Sequence, residues 1–433
     1  MATDTHYKLR NQVIYEVFVR NHSAEGNFQG LQKDLARIRN LGVDIIWLMP
    51  IHPIGELHRK KSLGCPYSIR DYRAINPEYG TLEDFKSLVQ NIHRLGLQVM
   101  MDIVFNHTSH DSWLVYHHPE WFYHNPNGEI AGRVEDWTDI VDLDYSHPEL
   151  RSYLIETLKL WAKEGVDGFR CDVASLVPVE FWQQARAELK KINPGIIWLA
   201  ESSDPDFILK MRSLGWNAQS DGELFQAFDI TYDYDVYHTF QAYLHGQVPQ
   251  KEYLFRLRQQ ESIYPQNYLK LRFIENHDQP RIRSLIFTEE CWRQWAAFSF
   301  FEKGVALIYS GQETRDPKQP SLFEKDIFDW GTLDPETSNF FKKLSAIKKE
   351  SIIGRGYYQI HHSSPLGVIR ASYQTKPQIL QGVFNVEGKC GFLKVDCKDG
   401  SYRNLIDGKE IQIQDGVMKL QNEPIIFYGE TEP

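Results

Sequence analysis

Residues 81–104 read TLEDFKSLVQNIHRLGLQVMMDIV, and they decide the fold. Residues 81–95 predict a helix opened by Thr81 as N-cap, with Asp84 three residues on, close to a capping box. Residues 98–104, QVMMDIV, predict a strand that is apolar almost throughout, as expected when both faces are buried. The same helix-then-strand unit repeats in both directions. Upstream, residues 13–20 (VIYEVFVR) and 44–50 (DIIWLMP) predict strands. Between them Leu31, Leu35, Ile38 and Leu41 fall at helical spacing. Downstream, strands are predicted at 167–172, 196–200, 225–230, 268–274 and 305–310. Helices are predicted at 148–163, 179–192, 234–244, 251–260 and 291–301. Such alternation implies a parallel sheet. Eight units imply an α/β chain folded as a (β/α)8 TIM barrel.

Two segments break the pattern. Residues 106–147 are polar and aromatic, too long for an ordinary βα loop, and predict an inserted subdomain after the third strand. Beyond residue 350 short alternating runs (368–372, 378–384, 411–413) are punctuated by Asp399-Gly400, Asp407-Gly408 and Asp415-Gly416. This texture predicts a C-terminal all-β domain. The expected organisation is barrel at 1–107, inserted subdomain at 108–147, barrel again at 148–350 and a sandwich-like β domain at 351–433.

Composition narrows the class. The chain has 433 residues, 42% hydrophobic and 24% charged, as in an ordinary globular protein and unlike a disordered one. A net charge of −10 argues against nucleic-acid binding. The absence of any run of about 18 apolar residues argues against a membrane span. The five cysteines Cys65, Cys171, Cys291, Cys390 and Cys397 form no CxxC, and residues 1–11 hold no apolar signal core; a cytoplasmic location is expected. Aromatics reach 13%. Most are expected in the core, some along a sugar cleft. No sequence feature points to an oligomeric state.

In such a barrel the site forms at the carboxyl ends of the strands. Strand three ends in Asp102, Asn106 and His107, strand four in Arg170 and Asp172, strand five in Glu201, strand seven in Glu275, Asn276, His277 and Asp278. A single Asp at a strand end is more often a helix cap. Carboxylates after several strands are a different matter, because Asp172, Glu201 and Asp278 would then converge on one cleft. That set suits glycosidic bond cleavage, which needs an acid for the leaving oxygen and a second carboxylate as nucleophile or base. Arg170, two residues before Asp172, shares its side of the strand and would favour the ionised aspartate. The apolar residues before Glu201 would raise its pKa and suit it as the acid.

These blocks resemble, in order, those of the α-amylase family of glycoside hydrolases: residues 102–107 (DIVFNH), 168–172 (GFRCD), Glu201, and 273–278 (FIENHD). The resemblance implies a retaining mechanism on α-glucosidic bonds, with Asp172 as nucleophile, Glu201 as acid/base and Asp278 binding a distorted sugar. It also implies substrate contacts by Tyr67, His107, Arg170, His277 and Asp102. The implied substrate is an α-1,4-glucan or maltooligosaccharide, with no cofactor required for the chemistry. Asn106 and Asp142 match structural calcium positions, and oxygen ligands of this kind suit Ca²⁺. Ser175 and Leu176 replace the Lys-His pair that follows the nucleophile in many α-amylases, so this ligand set is incomplete; Leu176 retains a backbone carbonyl. The block also departs from the oligo-1,6-glucosidase and maltogenic patterns. A 4-α-glucanotransferase would use the same residues. A non-catalytic barrel that only binds sugar or a partner would be expected to have lost carboxylates that are intact here.

Overall fold

The computed structural model describes residues 5–362, 367–376 and 378–430. The start of the N-terminal stretch 1–11 and the last three residues of the C-terminal domain lie outside them. Eight strands form a closed parallel barrel: β1 (Val13–Val17), β2 (Ile45–Leu48), β3 (Gln98–Ile103), β4 (Gly168–Cys171), β5 (Ile197–Ala200), β6 (Ile230–Tyr232), β7 (Lys270–Arg272) and β8 (Gly304–Tyr309). Each pairs with its sequence neighbours, and β8 closes on β1. Nearly every strand residue is buried, which is why these segments read as continuous apolar runs. The capping box at Thr81 and Asp84 is formed and starts the helix Leu82–Arg94.

Three barrel strands differ most from expectation. The sixth strand lies at Ile230–Tyr232 rather than 225–230. Residues Asp221–Leu224 form a helical turn closed by a Ser220/Glu223 capping box, and Phe228 packs edge-on against Trp182 and Trp198. The aromatic run is therefore a buried turn, which a hydrophobic pattern alone does not distinguish from a strand. The first strand ends at Val17, because Val19–His22 turns into a helix. The seventh is only Lys270–Arg272, and both cations are fully buried. Lys270 Nζ pairs with Asp221 and Asp235 at 2.9 Å, and Arg272 Nη1 with Asp233 at 2.7 Å.

After β3 the chain builds a small subdomain on an antiparallel pair, His107–Ser109 with Ile140–Asp142, plus the helix Trp113–His117. At the other end lie two four-stranded antiparallel sheets. The strands are β9 (Tyr357–Ile360), β10 (Ile369–Gln374), β11 (Ile379–Phe384), β12 (Phe392–Lys394), β13 (Gly400–Arg403), β14 (Glu410–Gln414), β15 (Val417–Lys419) and β16 (Ile425–Gly429). The sheet orders are β9-β10-β11-β16 and β12-β15-β14-β13. Val383, Ile411, Ile413, Met418 and Phe427 belong to a core of this domain. The face bearing Tyr373 and Phe384 instead joins the barrel core. Phe384 meets Phe298 and Phe301 of the helix Glu289–Phe301 at ring-centre distances of 5.3 and 5.5 Å. The C-terminal domain thus buttresses the barrel. Among the described residues no helix is long and apolar enough to cross a membrane.

Candidate active site

The register of the central strands sets the site. Asp102 of β3 lies beside Arg170 of β4, and the chain past β4 and β5 continues in step, with the Asp172 N–H donating to Ile103 O and the Glu201 N–H to Cys171 O. The Arg170 guanidinium is completely buried and gathers the carboxylates of three strands. Its Nη1 donates to Asp102 Oδ1 at 3.0 Å and to Asp172 Oδ1 at 2.6 Å. Its Nη2 lies 3.0 Å from Glu201 Oε2 but makes no aligned hydrogen bond, so this is a charge contact. Its Nε donates to the Tyr232 hydroxyl at 3.1 Å.

Above this floor opens a cavity of about 440 Å³, within the usual range for small-ligand sites. Asp172, Glu201 and Asp278 line it together with Tyr67, His107 and His277. The expected trio therefore meets at one cavity. Arg170 and Asp102, expected as substrate contacts, are fully buried and do not line it. They lie beneath, where Asp102 accepts from the Tyr67 hydroxyl at 3.1 Å and from Trp47 Nε1 at 3.3 Å. Spacing along a strand gives the face a side chain takes, not its depth. Glu275 is not in the cavity either: Arg281 Nη1 and the Ile282 N–H donate to it at 2.6 and 2.7 Å. The lining also includes Tyr234, whose hydroxyl donates to Asp278 Oδ2 at 3.3 Å, and Trp137 of the inserted subdomain.

Burial dominates the electrostatics. It pushes Glu201 up to about 7 and Asp172 up to about 6, with Arg170 opposing in both cases. Arg170 was expected to keep Asp172 low. It limits the rise without cancelling it, because the same guanidinium also serves Asp102, itself raised by burial to about 6. Asp278 behaves differently. Burial would raise it, but His277, 3.1 Å away, draws it below the usual carboxylate range. Burial alone would lower His277; Asp278 and Glu16 outweigh it and hold the imidazole well above its ordinary value. His107 is lowered by burial and stays neutral near pH 7.

Directly after Asp172, Val173 takes a left-handed conformation (φ 41°, ψ 41°), rare for a β-branched residue. The turn aims its N–H at Glu201 Oε2, 2.7 Å away.

The pair expected for calcium, Asn106 and Asp142, is brought together, and Asp142 already has a cationic partner. Asn106 Nδ2 approaches Asp142 Oδ1 at 3.4 Å, while Asp142 Oδ2 accepts from the Arg133 N–H at 2.9 Å and faces Arg133 Nη1 at 3.4 Å. Arg133 Nη1 also donates to Leu143 O at 3.3 Å, and its guanidinium lies 4.7 Å from the Tyr123 ring centre. The Arg133 guanidinium is thus the cation that faces the buried Asp142 carboxylate. Among the described residues no group of three or more His, Cys, Asp or Glu side chains is placed to hold a metal.

Fold and site together define a carboxylate enzyme of the (β/α)8 class. Comparison with known proteins names the family. Residues 12–137 and 113–350 match the catalytic domain of alpha amylase, and residues 359–427 match the bacterial alpha amylase C-terminal domain. The chain belongs to the α-amylase family of glycoside hydrolases. The crystal structure of an alpha-amylase from Lactobacillus plantarum is 43% identical, with a TM-score of 0.95 over 98% of this chain and 100% of that one. A noncanonic maltogenic alpha-amylase from Thermotoga neapolitana is 34% identical, with a TM-score of 0.88 over 98% and 100%. Alpha-amylase 3 of Dictyoglomus thermophilum is 26% identical over 74% of this chain and 68% of its own length.

Proposed function

We propose that this enzyme hydrolyses α-1,4 bonds of glucans or maltooligosaccharides with retention of configuration. The observation that carries the reading is the single guanidinium of Arg170 contacting both Asp172 and Glu201 beneath one cavity. Two carboxylates held this way can serve one glycosidic bond from opposite roles. An Asp172 oxygen attacks C1 while the C1–O bond to the departing sugar breaks and the Glu201 proton moves to that oxygen. Glu201, now ionised, takes a proton from water as the water oxygen bonds to C1 and the C1–Asp172 bond breaks. Asp278, kept ionised by His277, accepts hydrogen bonds from ring hydroxyls of a distorted sugar. Tyr67, parallel to His277 at 5.4 Å, offers a flat face to the same sugar. The α-amylases among its similar structures support the choice of an α-glucan. Five free cysteines support a reducing, cytoplasmic location.

Proton NMR of a maltooligosaccharide digest tests the assignment: the α anomer of the product should form first and mutarotate to β. A first-formed β anomer, or no cleavage, would defeat it. Products longer than the supplied sugar would show that a sugar hydroxyl replaces water and that the enzyme is a 4-α-glucanotransferase.

A further inference from the structure

Glu16 has no place in the chemistry above, yet it is a completely buried carboxylate in an otherwise apolar strand. In β1 it lies in register with Trp47 of β2 and Tyr309 of β8. Burying a carboxylate is costly unless it is paired. Its partner is the imidazole of His277, whose Nδ1 it meets directly. The other carboxylate oxygen, Oε2, has no hydrogen-bond partner.

The groups around His277 fix its protonation by donor and acceptor count. On one side Nδ1 meets the Glu16 carboxylate. On the other, Nε2 lies 3.1 Å from Asp278 Oδ2 and 2.8 Å from the Tyr67 oxygen. The Tyr67 hydroxyl proton is committed to Asp102, so toward His277 its oxygen accepts. Ionised carboxylates only accept. Both ring nitrogens therefore face acceptors, and the ring carries both protons. Trp47 packs edge-on at 5.9 Å and adds no charge. Among these neighbours the only negative charge on the Nδ1 side is Glu16.

We propose that Glu16 is a positioning residue for the reaction: by holding His277 as an imidazolium, it keeps a charged N–H aimed at Asp278 and so holds that carboxylate toward the sugar. This rests on the reading of Asp278 as the carboxylate that binds the sugar. The alternative is a purely structural tie between β1 and the segment after β7.

Glu16→Gln separates the two. The amide oxygen of glutamine still accepts from Nδ1–H, so the tie survives while the charge is lost. With one of its two flanking carboxylates gone, His277 gives up its charge at lower pH than in the wild type, and its hold on Asp278 weakens. The expected result is an unchanged melting temperature and an alkaline limb of kcat/KM displaced to lower pH. The rate at pH 8, relative to pH 5.5, should therefore drop below the wild-type ratio. Glu16→Asp, which keeps the charge, should restore the wild-type limb. An E16Q profile with the wild-type shape, whatever its height, would overturn the proposal. Nitrogen-15 NMR of His277 without substrate supplies a readout independent of activity. The ring should stay doubly protonated to higher pH in the wild type than in E16Q. Equal titration in both would refute the role of Glu16, and this arm stands even if the glucan substrate is wrong.

Discussion

On the proposed mechanism, replacing Glu201 by Gln removes the proton that the departing sugar needs and leaves the shape of the site intact. The size of the effect follows from the pKa that burial gives the group. At about 7, instead of the ordinary 4.5, roughly half of Glu201 is protonated at pH 7. At 4.5 only about one molecule in 300 would be. General acid assistance is worth about 10²–10⁴ in rate, and an alkyl leaving group depends on it fully. For E201Q, kcat/KM on maltooligosaccharides should therefore fall by about a thousandfold. For an aryl α-maltoside with a dinitrophenolate leaving group the bond-breaking step should be nearly unaffected, and added azide should restore turnover by replacing the unactivated water. The pH profile is the sharper measurement. The wild type needs Asp172 ionised, which sets an acid limb near 6, and Glu201 protonated, which sets an alkaline limb near 7. E201Q should keep the first limb and lose the second. If the alkaline limb near 7 persists in E201Q, some other group is the acid and the assignment of Glu201 fails.

Asp172→Asn should reduce turnover by roughly five orders of magnitude, on the scale seen when a catalytic nucleophile is removed, with a melting temperature within a few degrees of wild type. Chelators should change neither melting nor activity, since Arg133 supplies the charge at Asp142. Arg133→Ala should destabilise by roughly 3 kcal/mol, because it leaves a buried carboxylate without its cation, and calorimetry would detect it. Phe384→Ala should cost about 3–5 kcal/mol in chemical unfolding, and the transition should remain single because this ring belongs to the barrel core.

The parts of the fold legible in the sequence are those where burial is total. Residues such as Ile45–Leu48 and Ile197–Ala200 are apolar and buried on both faces. The strand Ile230–Tyr232 escaped because it is three residues long and lies beside a more hydrophobic turn. Asp172, Glu201 and Asp278 were legible because a carboxylate after an apolar run marks a strand end. Glu16 has the complementary signature, one charge inside an apolar run. Its meaning depends on His277, 261 residues away, which no local pattern reveals. Arg133 sits in an irregular segment without periodicity, so only coordinates could show that it meets Asp142.

The left-handed backbone at Val173 has a consequence for any attempt to improve this enzyme. A conformation of this kind costs about 1–3 kcal/mol for a residue with a β-branch, and glycine would adopt it freely. Selection for heat resistance alone would therefore favour glycine at 173. The same freedom would let the amide swing away from Glu201, so selection for turnover would favour valine. Position 173 is where laboratory evolution toward the two goals should diverge first.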